Sequence, residues 1–130
     1  MRLTILLISS LFFLQSCSYL KISKYDPVEY YQSAMVKSFA ETVYESCDYV
    51  HPSLVDMLEL NTRVLTNVTM HLPNNEEYHE LAKKLNLLVD QFVERYYSND
   101  DMSIAYCEMK LESIIETSDQ IQTLLGGKFR

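Results

Sequence analysis

The chain has no tryptophan, and its only two glycines, Gly126 and Gly127, stand side by side near the end of its 130 residues. Prolines occur only at 27, 52 and 73. An all-β domain needs a tight reversal about every ten residues, and this composition does not supply the residues for them. Positive charge is also scarce: eleven Lys and Arg face eighteen Asp and Glu, a formal net charge of −7. A nucleic-acid partner would call for a basic footprint, which is missing. Catalytic patterning is equally thin. His79-Glu80 has Lys83 where a zinc-protease helix carries its second histidine, and His51, His71 and His79 are scattered across a loop, a helix end and a helix start. There is no glycine-rich phosphate loop. The carboxylate pairs Glu76-Glu77 and Asp100-Asp101 precede apolar-periodic segments, where helix-dipole and capping roles account for them. The expectation is a protein that is not an enzyme, with no catalytic residue, metal, cofactor or small-molecule substrate.

What is present begins with an export signal. Arg2 is followed by an uncharged run from Leu3 to Leu14 and then by Gln15-Ser16-Cys17, the layout of a secretory signal peptide. The apolar run is too short to span a bilayer core of about 30 Å. Leu14-Gln15-Ser16-Cys17 resembles the bacterial lipobox. The resemblance implies cleavage after residue 16 and covalent lipid, palmitate included, on Cys17. Two or three acyl chains there anchor a protein stably, where one holds it only marginally. Ser18, rather than Asp, after that cysteine implies sorting to the outer membrane, with the domain facing the periplasm. The expected organisation is a signal peptide over 1–16, a lipidated tether over 17–26 and one domain over 27–130.

With Cys17 lipidated, Cys47 and Cys107 are left. In an oxidising compartment an even pair most simply forms a disulfide; two buried free thiols are the alternative.

Hydrophobic periodicity predicts four helices. The first starts at Asp26-Pro27, an acceptor side chain before a proline at the first helical position, and carries Val28, Tyr31, Met35, Phe39, Val43 and Cys47 on one face. The second is expected to open at Ser53, with Asp56 completing a capping box, and to present Leu54, Met57, Leu58, Val64, Leu65, Val68 and Leu72. The third begins at Glu76-Glu77 and steps through Tyr78, Leu81, Leu85, Leu88, Phe92 and Tyr96. The fourth carries Ile104, Cys107, Leu111, Ile114, Ile115, Ile121 and Leu125, with Gly126 as its C-terminal cap. Short connections predict a compact all-α bundle of four antiparallel helices stapled by one disulfide. Cys47 closes the first helix and Cys107 opens the fourth. These points are expected at opposite ends of an up-down-up-down bundle, so the bridge is expected to require crossed packing or a helix lying across the others.

Ten tyrosines are many for this length, and Tyr30-Tyr31 and Tyr96-Tyr97 are adjacent pairs that cannot share one helix face. If Tyr31 and Tyr96 face inward, Tyr30 and Tyr97 face outward. With the off-stripe Val36, Leu60, Leu87 and Val93 they make a candidate groove for an amphipathic helix; the alternative is that the rings pad the boundary of a small bundle.

Cys17, Cys47 with the following His51-Pro52, the run from Leu88 to Tyr97, and Cys107 with the helix after it together resemble the PulS/OutS-type pilotins of type II secretion. That resemblance implies a lipid-anchored chaperone that binds the C-terminal segment of a secretin and carries it to the outer membrane. The alternative expectation is a plasmid- or phage-type surface- or entry-exclusion lipoprotein.

Overall fold

The computed structural model describes residues 26–98 and 100–127. The expected export signal, Cys17 with its expected lipid, and the expected tether as far as residue 25 lie outside the described residues. The chain forms α1 (Pro27–Glu45), α2 (Pro52–His71), α3 (Glu76–Tyr97) and α4 (Ile104–Gly127). α1 packs on α2 and α4, and α3 packs on α2 and α4, so the helices stand around a square in chain order.

Their ends follow local chemistry. The Asp26 carboxylate accepts from the backbone N–H groups of Val28 and Glu29 at 2.7 and 3.3 Å, and Pro27 occupies the first turn. α2 begins two residues earlier than its Ser53-Asp56 capping-box pattern predicts. Pro52 takes the first position and His51 is the cap, its Nδ1 accepting from the N–H of Ser53 at 3.2 Å. Asn74, with φ of 55°, turns the chain between α2 and α3. The Ser103 hydroxyl accepts from the N–H of Tyr106 at the start of α4. Gly126 does not cap that helix: α4 continues through Gly127, and neither glycine has positive φ.

Cys47 and Cys107 are bridged, with their Cα atoms 5.8 Å apart. No crossed packing is involved. α1 and α4 are antiparallel neighbours, so the end of one and the start of the other share an end of the bundle. The expectation of opposite ends fails on this point of direction. The other end, where Asp26 enters, is the tether end.

The core holds Val36, Ala40, Val43, Val55, Leu58, Leu65, Ala82, Leu85, Val89, Phe92, Cys107, Leu111, Ile114, Ile121 and Leu125, all fully buried. α3 comes nearest to its predicted face: Leu85 and Phe92 are fully buried with Ala82 and Val89, and Tyr78, Leu81, Leu88 and Tyr96 are half-buried against the core. α1 and α2 are rotated from theirs: Val28 and Tyr31 are 57% and 63% exposed, while Glu29, Gln32 and Ser33 are buried. On α2, Thr62 and Thr69 turn inward, and Met57 and Val64 are left partly in solvent. On α4, Ile104 is exposed, and Thr117 and Ser118 are inside.

Serine and threonine on a helix can bond the preceding turn's carbonyl, which removes most of the cost of burying their hydroxyls. Ser33 donates to Tyr30 O, Thr62 to Leu58 O and Ser118 to Ile114 O at 2.7–2.9 Å. Small side chains at the centre also suit helix axes about 8–10 Å apart. The larger rings go to the flanks, where their hydroxyls reach partners or water.

Candidate functional site

The buried polar residues gather at the tether end. Glu29 has no exposed surface, and its carboxylate accepts from the Asn75 amide at 2.7 Å; the same amide donates to Thr69 O at 3.1 Å. Thr69 also meets His79 Nδ1 at 3.1 Å. Gln32 donates to the Asn61 side chain at 2.7 Å, tying α1 to α2. Among the described residues no buried side-chain nitrogen or oxygen lacks a partner. A fully satisfied network of this kind fixes how the helices meet, and it leaves no group aimed at a ligand.

The histidines are structural. His51 caps α2, His71 bonds its own helix at Asn67 O, and His79 belongs to the tether-end network. Among the described residues no cluster of His, Cys, Asp and Glu could hold a metal ion, and no helix is long and apolar enough to cross a membrane.

The six residues expected to form one groove do not come together. Val36 is in the core with no exposed surface, so it offers nothing to a partner. The reason is the rotation of α1, which turns the row of Val36, Ala40 and Val43 inward. Leu60 and Leu87, 56% and 58% exposed, stand on the outer faces of α2 and α3, and Val93 packs against the core. Tyr30 is 39% exposed on α1. The Tyr97 hydroxyl donates to Asp56 Oδ1 of α2 at 2.6 Å. That bond, more than the accompanying loss of solvent, pushes the Tyr97 hydroxyl up to about 12. Asp56 is therefore a tyrosine acceptor and not part of a capping box.

The other tyrosines also join elements. Tyr44 donates to Glu112 of α4, Tyr78 to Leu124 O and Tyr96 to Val50 O. Burial raises the pKa of Tyr78 and Tyr96, and the Glu112 charge raises that of Tyr44.

What the rotation leaves outside is an apolar seam between α1 and α2. Gln32 reaches Asn61 on α2, while Lys37 and Tyr44 reach Asp119 and Glu112 on α4. Val28, Tyr31, Met35 and Phe39 recur on the α2 side of α1 at helical spacing. Met57, Val64 and Val68 answer them from the α1 side of α2. Val28, Tyr31, Met57 and Val64 are exposed, and Met35, Phe39 and Val68 are half-buried beneath. From Val28 to Phe39 the row is about 16 Å long, three helical turns. Periodicity assigns these residues to the core. The signal that points outward instead is the excess of apolar residues on α1, which form two rows where the bundle has room for one.

A concavity lies on the opposite side of the square. Between α3 and α4, towards the tether end, a cleft of about 730 Å³ is lined by Leu81 and Leu124, with Glu77, Glu80, Asp119 and Gln120 around them. At the disulfide end of the same seam, Tyr106 lies between Arg95 and Lys110, each 5.9 Å from the ring centroid.

Comparisons of the chain with protein families, with curated proteins and with solved structures returned no match.

Proposed function

We propose that this protein is a lipid-anchored docking chaperone of the pilotin kind. It would receive an amphipathic helix from the C-terminal segment of a secretin and accompany that subunit to the outer membrane. The observation that carries the reading is the exposed row of Val28, Tyr31, Met57 and Val64 along the α1–α2 seam, in a bundle that buries Glu29, Gln32 and Thr62 instead. Solvated apolar side chains in a contiguous row mark a surface used for binding. The seam matches a partner helix of about three turns, read through anchors three and four residues apart. A segment disordered before docking loses conformational freedom on binding, so apolar contact along the whole row has to outweigh that cost. The bundle is crosslinked and, among its described residues, internally satisfied, so little of the binding energy would be lost in reorganising it. Cys17, outside the described residues, would supply the anchor.

Two measurements test this. Removing the gene should leave secretin subunits degraded or stranded in the inner membrane; normal secretin multimers in the outer membrane would overturn the proposal. With purified protein, peptides from candidate secretin tails should bind and become helical. Tyr31→Asp and Val64→Asp should weaken that binding at least tenfold, about 1.4 kcal/mol each.

A further inference from the structure

We infer that, when no other partner occupies the α1–α2 seam, two copies of this chain pair through it, seam against seam. The inference uses the surface that carries the secretin reading but does not rest on that reading, because it concerns the protein alone.

Charge is the first argument. The chain has a formal net charge of −7, so two copies repel each other unless they meet where neither presents a carboxylate. The α1–α2 face is such a place. On α1, Glu29 is buried, and Lys37 turns to Asp119 of α4 with Glu41 beside it. Glu45 follows Glu41 by four residues and so stays on that side. On α2, Asp56 accepts from Tyr97 of α3. Glu59 and Arg63, three and seven residues further along the same side, pair with each other. These are all the Asp, Glu, Lys and Arg residues of the two helices. The seam is edged instead by the exposed hydroxyls of Ser38 and Thr42 and the amide of Asn67. An uncharged face draws neither a basic nor an acidic partner. Across the α3–α4 cleft, by contrast, a second copy would set Glu77, Glu80 and Asp119 against their own counterparts.

Self-complementarity is the second. A symmetric pair needs one patch that answers itself. The seam has two apolar rows side by side, one from each helix, so the rows of one copy can lie on those of the other. Val28, Tyr31, Met57 and Val64, exposed in the single bundle, are then covered.

Size is the third. α1 has 19 residues and is therefore about 28 Å long. Two helices about 8–10 Å apart make a face roughly 20 Å wide. Pairing thus covers roughly 500 Å² of each copy, about 1,000 Å² in all, near the lower limit for a specific contact. Such a pair exchanges with single copies, and it shields the seam without closing it permanently to a tighter partner.

The test uses the full chain in a host that makes no secretin, as two differently tagged copies, with a photoreactive phenylalanine analogue in place of Val64. Irradiation should give a product that carries both tags, with the crosslink in residues 28–39 or 57–68 of the second copy. The same probe in place of Leu87, on the outer face of α3, should give at least fivefold less. No doubly tagged product from position 64, or a product chiefly with lipid or a foreign protein, overturns the proposal. Sedimentation velocity of the purified chain gives a second reading. Raising salt from about 50 to 500 mM should strengthen pairing severalfold by screening the net repulsion; weakening would mean charge pairing and would overturn the inference. Met57→Lys with Val64→Lys, and separately Met57→Asp with Val64→Asp, should each lose self-pairing at least tenfold while melting close to wild type. The two variants mixed should pair again. Variants that self-pair as wild type does, or that stay apart when mixed, refute the seam contact. The salt series needs no variant and decides even where a variant fails to fold. Pairing without binding of any secretin peptide removes only the secretin reading, and peptide binding by a chain that stays single removes only this one.

Discussion

Reducing the bond between Cys47 and Cys107 removes a crosslink that spans 60 residues, and the size of the effect follows from that span. Closing a loop of this length lowers the entropy of the unfolded chain by an amount worth about 4 kcal/mol at room temperature. A domain of this size has roughly 5–15 kcal/mol of total stability, so the loss is large but leaves a folded protein at low temperature. At about 4–5 °C per kcal/mol for a hundred residues, the midpoint should fall by roughly 15–20 °C. Thermal melts followed by far-ultraviolet circular dichroism measure this directly. Reduced wild type is the cleaner comparison, because it keeps both sulfur atoms in the core, where Cys107 is fully buried. The Cys47→Ala, Cys107→Ala double variant adds a small cavity loss. The denaturant slope should also rise on reduction, since an uncrosslinked unfolded chain exposes more surface. A reduced protein that melts within about 3 °C of the oxidised one would refute the reasoning, because the crosslink would then be constraining nothing.

Further outcomes separate core, network and surface. Val36→Ala should cost about 2 kcal/mol, whereas Val64→Ala, on the seam, should stay within about 0.5 kcal/mol; chemical denaturation distinguishes them. Asn75→Ala removes a donor from the buried Glu29 carboxylate and should cost about 1–3 kcal/mol in the same assay. The Tyr97 hydroxyl keeps its proton to about 12 in the folded protein, against an ordinary value of 10.0. Its contribution is therefore intact below pH 10 and fades as pH rises from there to about 12. Tyr97→Phe should flatten that part of the stability profile, and the late part of a titration followed by tyrosinate absorbance should shrink by one group.

Much of the fold could be read directly from the residues. Asp26-Pro27, Pro52, Pro73 and the acids at 76 and 77 mark helix starts and breaks because proline and capping acids act locally. The face of α3 is legible because most of its apolar residues, Tyr78, Leu81, Leu85, Leu88, Phe92 and Tyr96, recur at helical spacing and all pack on or in the core. α1 and α2 mislead for a physical reason: Ser33, Thr62 and Thr69 satisfy their own hydroxyls and so count as small core residues, which periodicity scores as polar. The buried Glu29 could not be anticipated, since its partner Asn75 lies 46 residues away and meets it only after α2 has folded back. The seam is hidden in the same way. Its members have apolar spacing, and only the packed bundle shows that there is no room for them inside.

The bridge between α1 and α4 also carries a consequence for biosynthesis. Because it pairs the opening helix of the domain with the closing one, it cannot form until nearly the whole polypeptide has been delivered. A product cut short before Cys107 carries Cys47 as a free thiol. A maleimide added to the cells would then label position 47 in unfinished chains and pass over that position in completed ones, so that this sulfur records whether synthesis ran to its end.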